Sequence, residues 1–167
     1  QRNDTLGIVH GLSFGPDDEV LRAVTSTGIY EIEIATEQDA FYTFKRDDTG
    51  VVSQDVRIRG QTMAIWYPTI LGSAIEVWNL AQRRRIWTRY LDEYDELTPF
   101  DLSPDGSKLA FSGSEGEVQV WDVETGQLTT TWEVTNQQSE PHGERIWSLL
   151  YHPDGDRVAV RTSTGVG

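Results

Sequence analysis

The sequence predicts an all-β chain built from related units of four short strands. Three observations carry this. A tight-turn motif recurs as GPDD (Gly15 to Asp18), SPDG (Ser103 to Gly106) and HPDG (His152 to Gly155), with a degenerate copy, RGQT (Arg59 to Thr62), between the first two. A second motif, EVQVWDVETG (Glu117 to Gly126), aligns with AIEVWNLAQR (Ala74 to Arg83), so that Trp78 and Trp121 stand 43 residues apart. No long helical periodicity appears anywhere along the chain.

The spacing sharpens the class. Asp17 and Asp105 are 88 residues apart, two periods of about 44, and Asp105 and Asp154 are 49 apart. A period of roughly 40 to 45 residues with four strands per unit is the signature of a β-propeller. In the third unit, strand a is predicted at residues 98–103 and strand b at 108–113. Strand c follows at 117–123 and strand d at 127–134. Pro and Asp suit the early turn positions of SPDG, and Gly accepts the positive φ that follows. The units span about 7–46, 51–93, 98–134 and 145–167, the last incomplete. The expectation is one partial propeller of about 3.5 blades over residues 1–167. A lone blade cannot bury its apolar faces, so residues beyond Gly167 or partner chains are expected to cover the outermost blades.

The stretch SPDGSKLAFSGSEGEVQVWDVETG, and PHGERIWSLLYHPDG after it, resemble the WD40 repeat family. The likeness covers nearly the whole chain, weakest in the first unit. SPDG followed by LAF also resembles TolB-like bacterial propellers, but the VWD…TG pattern favours WD40. The resemblance implies a hydrogen-bonded network of His, Ser or Thr, Asp and Trp inside each blade. Here its members are diluted. Glu93 stands at the third unit's His position, while Trp121 and Asp122 remain. In the fourth, His142 could pair with Thr162 or Ser163. The repeat motif residues are therefore Trp78, Asp105, Gly106, Trp121, Asp122, His142, Asp154 and Gly155. The resemblance further implies a non-catalytic scaffold or adaptor that binds proteins or peptides through rim loops. The alternative is a regulatory or sensor propeller domain of a larger enzyme or signalling protein.

Composition narrows the partner. The chain has 14 Lys and Arg against 27 Asp and Glu, a formal net charge of −13. Nucleic acid is held through many cationic contacts to phosphate, so a basic protein or peptide is expected instead. There is no cysteine, hence no disulfide or thiolate metal site. No apolar run reaches the roughly 20 residues of a membrane span. An intracellular chain is expected, cytoplasmic or nuclear, working as a subunit of a complex or as part of a longer protein.

Catalytic and cofactor motifs are missing. Neither a G-x-S-x-G elbow nor a Walker or G-x-G-x-x-G loop occurs. His10, His142 and His152 do not have metal-ligand spacing, so no metal or cofactor is expected. Asp105 and Asp154 are read as turn formers.

Two candidate surfaces remain. Three hydrophilic linkers each precede a strand a and are predicted to share one rim. They carry Asp47 and Asp48, then Asp92, Glu93, Tyr94, Asp95 and Glu96, then Glu144 with Arg145 at the next strand. An acidic, Tyr-bearing rim suits a basic partner. The one basic run, RRRIWTR, lies on strand d. Strict alternation would put Arg83, Arg85, Trp87 and Arg89 on one face, for a lateral contact with an acidic partner or for Arg stacking on Trp87.

Overall fold

The computed structural model describes residues 8–15, 18–25, 28–43, 55–69, 71–91, 98–113, 116–134 and 145–163. Among these there are fourteen strands and no helix, so no helix is long and apolar enough to cross a membrane. The chain divides into two compact units, Gln1–Asp92 and Glu93–Gly167.

The first unit holds two four-stranded antiparallel sheets. β1 (Val9–Phe14), β2 (Val20–Thr25), β3 (Gly28–Glu33) and β4 (Asp39–Thr43) pair in chain order. So do β5 (Asp55–Arg59), β6 (Thr62–Thr69), β7 (Gly72–Asn79) and β8 (Arg84–Leu91). Side chains alternate between the two faces of a strand. One face of the first sheet supplies Val24 and Ile29 to a core completed by Val56, Met63, Ile65, Tyr67, Ala74, Trp78 and Leu80 of the second. Each fully buried large side chain contributes about 1.5–3 kcal/mol. Gly11 of the first sheet faces Val56 of the second, and a Cβ there would stand 3.4 Å from Val56 Cγ1, in ordinary contact. The opposite face of the first sheet carries Leu12 and Phe14, both exposed.

A buried cation ties the two sheets. Arg22 donates from Nε to Glu31 at 2.8 Å and from Nη2 to Gln61 Oε1 at 3.2 Å, across the interface. Only a paired guanidinium is tolerated at such burial, and the Glu31 carboxylate is that partner.

In the second unit, β9 (Phe100–Leu102), β10 (Lys108–Ser112), β11 (Glu117–Asp122) and β12 (Leu128–Glu133) form a third antiparallel sheet, and β13 (Ile146–Tyr151) pairs with β14 (Val158–Thr162). Ala110, Val118 and Val120 pack on Ile146, Leu149 and Val160. β9 is shorter than the strand predicted over 98–103. Pro99 has no N–H to give, though its carbonyl accepts from Ser112 N at 3.0 Å. At the other end the Ser103 hydroxyl is drawn into the turn, accepting from Lys108 N at 2.9 Å.

The second and third sheets share an irregularity at the tryptophan. Along β7 and β8, Val77 pairs with Trp87 but Trp78 with Arg85, which leaves Ile86 as an extra residue. Along β11 and β12, Val120 pairs with Thr130 but Trp121 with Leu128, which leaves Thr129. The Thr129 hydroxyl fills the gap by donating to Val120 O at 2.8 Å. These β-bulges re-aim the outer strand at the same repeat position. The all-β fold of four-stranded antiparallel sheets is consistent with a partial β-propeller.

Candidate interaction site

Of the rim residues expected from the sequence, Asp47, Asp48, Asp92, Glu93, Tyr94, Asp95, Glu96 and Glu144 lie outside the described residues, as does His142. Arg145 is described and exposed. Its guanidinium lies 4.7 Å from the centroid of the half-exposed Trp147 ring, a cation–π contact. Its carbonyl accepts from Ser163 N at 3.2 Å. Strand order shows what the linkers connect. β4 to β5, β8 to β9 and β12 to β13 each run from the fourth strand of one sheet to the first strand of the next.

The basic run needs correction. Arg83, Arg85, Trp87 and Arg89 do not share one face, because the bulge at Ile86 interrupts the alternation. Arg83 sits in the turn before β8, with φ 53, and its Nη2 stands 3.5 Å from Glu31 Oε2. Arg85 lies opposite Trp78 and donates to the buried Glu76 carboxylate at 2.9 Å. Trp87 and Arg89 lie opposite Val77 and Ile75, on the other face, where Arg84 joins them opposite Asn79.

The two PDG turns of the second unit are built alike. Gly106 N donates to Ser103 O at 2.8 Å and Gly155 N to His152 O at 2.9 Å, with the glycines at φ 72 and 79. Asp105 Oδ1 accepts the Ser103 hydroxyl at 2.6 Å and the Ser107 amide at 3.0 Å. These bonds favour the carboxylate, the Ser103 hydroxyl most, and lower its pKa to about 2. Asp154 is held well below the usual carboxylate range by hydrogen bonding to Asp156 and then to the Arg157 guanidinium. A cleft of about 140 Å³ separates the turns, with Asp105 and Lys108 on one wall and Asp154 and Gly155 on the other. Burial, then the Asp101 and Asp105 charges, push the Tyr151 phenol up to about 12.

Histidine spacing alone missed one cluster. His152, Asp154 and Asp156 bring potential ligand atoms within 4.8 Å of one another. Arg157 already faces this group, donating to Asp154 Oδ2 at 2.5 Å and to Asp156 Oδ1 at 3.1 Å. Its guanidinium supplies the positive charge that the acidic pair favours.

The hydrogen bonding around the repeat tryptophans uses partners that the family pattern did not indicate. Trp78 Nε1 donates to Glu76 Oε2 at 2.9 Å, and Trp121 Nε1 to Gln119 Oε1 at 3.2 Å. In both sheets the acceptor stands two residues before the tryptophan, on the same strand face. Glu76 also accepts the Tyr67 hydroxyl at 3.1 Å. Asp122 and Asn79 act beyond the tryptophans as turn caps, accepting from Thr125 N at 2.7 Å and Gln82 N at 2.8 Å. The Thr125 amide and hydroxyl lower the Asp122 pKa. A polar residue two before each Trp was visible in VQVWD and IEVWN. Arg22 and Asp101 carried no such local signal.

Two comparisons bear on this arrangement. The family model described as the anaphase-promoting complex subunit 4 WD40 domain matches residues 73–139. Protein groucho of Drosophila melanogaster is 31% identical over 86 residues, which cover 52% of this chain and 10% of that protein. The chain thus spans about a tenth of the length of the curated relative it matches. With the four-stranded antiparallel sheets, the two matches support membership of the WD40 repeat family for this chain.

Proposed function

We propose that this chain is a non-catalytic interaction platform that binds a basic protein or peptide through the acidic linkers preceding β5, β9 and β13. WD40 families are generally non-catalytic protein-interaction scaffolds. One of the two matches is, by its name, a subunit of a complex, and a role as a complex subunit is proposed here too.

The observation that carries the proposal is the recurrence of acidic residues at one kind of connection. Asp47 and Asp48 fall between β4 and β5, Asp92, Glu93, Asp95 and Glu96 between β8 and β9, and Glu140 and Glu144 between β12 and β13. Loops held on a rigid sheet scaffold commonly carry binding function. Tyr94 adds a flat aromatic anchor to the densest segment.

Affinity capture run in parallel tests this. The wild-type chain is compared with a variant carrying Asp92→Asn, Glu93→Gln, Asp95→Asn and Glu96→Gln. Proteins retained by the wild type, released by rising salt and absent from the variant's eluate are the expected result. Identical eluates would count against the linkers, and turnover of a substrate abolished by the same substitutions would overturn the non-catalytic assignment.

A further inference from the structure

The outer strands of the three four-stranded sheets differ in charge. β4 (DAFYT) and β12 (LTTTWE) are five and six residues long, and each carries one acidic group and no Lys or Arg. β8 is eight residues long and carries Arg84, Arg85 and Arg89, on a chain whose net charge is −13. Among the described strands it pairs with β7 alone, and the outer edge of such a strand can seat a further one through its backbone N–H and C=O groups.

The bulge at Ile86 sorts its side chains. Arg85 turns to Glu76, where its charge is matched. Arg84, Trp87 and Arg89 lie opposite Asn79, Val77 and Ile75, three alternate positions of β7. They therefore form a cation–aromatic–cation series on one face, spanning about 13 Å at the strand rise of roughly 3.3 Å per residue. Arg84 and Arg89 are exposed and Trp87 is half-buried.

We propose that the outer edge of β8 is a docking site for an extended acidic peptide, which adds to this sheet as a fifth strand. Backbone pairing supplies the seat, and alternate side chains supply the selection. Carboxylates four positions apart meet Arg84 and Arg89, and an apolar residue midway between them covers Trp87. A row of arginines repels a second cationic strand, including β8 of another copy, so the charges that protect the edge also choose its occupant. It takes a ligand opposite in charge to the one proposed for the acidic linkers.

The probe is a fluorescein-labelled, end-blocked peptide Thr-Glu-Thr-Val-Thr-Glu-Thr, titrated with the full chain and followed by anisotropy. Binding is expected at low ionic strength and should weaken as salt is added. Arg84→Gln with Arg89→Gln should weaken it roughly tenfold, while Arg59→Gln, another exposed cation of the same sheet, leaves it unchanged. A probe N-methylated at alternate backbone nitrogens keeps its charge but cannot pair along the edge, and it should fail to bind. Equal binding of the methylated probe overturns strand addition, and equal binding to the double variant overturns the charge assignment. No binding of the parent probe, or concentration-dependent self-association that it does not reverse, overturns the site itself.

Discussion

Asp101 and Tyr151, fifty residues apart in the chain, are joined by one hydrogen bond between neighbouring sheets: Asp101 Oδ2 accepts the Tyr151 backbone N–H at 2.9 Å. The other oxygen, Oδ1, accepts Leu102 N at 3.0 Å. The carboxylate is 1% exposed, so both amides depend on it. Asp101→Ala should destabilise the second unit by about 2 kcal/mol, because it leaves buried donors unpaired. Hydrogen exchange at the Tyr151 amide should accelerate more than exchange in β2 or β6. Equal acceleration across both units would contradict a local role.

Glu76 receives three side-chain donors, from Tyr67, Trp78 and Arg85. Removing a buried, fully engaged charge leaves its partners stranded. Glu76→Ala should cost about 3 kcal/mol in urea unfolding, and Glu76→Gln, which keeps an acceptor, clearly less. An equal loss in both variants would mean that the donors do not need this side chain.

The Tyr151 hydroxyl is buried and has no hydrogen-bond partner among the described residues. Tyr151→Phe removes an unsatisfied polar group while keeping the ring. Stability should hold or rise by up to about 1 kcal/mol. A loss of that size would reveal a partner for the hydroxyl.

The Asp105 pKa lies at about 2, below its ordinary 3.8. A carboxyl with a depressed folded-state pKa favours the fold above its ordinary value, and that contribution disappears as pH falls through the folded-state value. Between pH 4 and 2 the wild-type melting temperature should therefore fall more steeply than that of Asp105→Asn. Parallel curves would contradict the hydrogen bonding assigned to Ser103 and Ser107.

Gly155 holds φ 79, where an L side chain is strained, and a Cβ would stand 3.4 Å from Pro104 Cδ. Gly155→Ala should cost about 1 kcal/mol. No change in the melting temperature would mean that the turn relaxes without strain.

Much of the fold is legible because repetition and turn chemistry are local. PDG fixes a hairpin by φ preference, and WD with TG marks the end of a strand. Register is less local. Alternation assumed an unbroken period of two, and one extra residue at Ile86 moved Arg84, rather than Arg85, onto the face of Trp87 and Arg89. The ties between sheets were not legible either. Arg22 to Gln61 spans 39 residues and Asp101 to Tyr151 spans 50, and no short pattern encodes such partners. The polar residues two before the repeat tryptophans, Glu76 and Gln119, are local to the motif, but the family pattern assigns this bonding to His and Asp instead.

The platform account is tested most directly by the salt dependence of binding to the acidic linkers. The full chain is titrated calorimetrically with a Lys-rich octapeptide at several ionic strengths, as the wild type and with Asp92→Asn, Glu93→Gln, Asp95→Asn and Glu96→Gln combined. The wild type should bind with an affinity that falls as salt rises, and the variant should bind more weakly with a flatter dependence. The same affinity and the same slope in both proteins would contradict it.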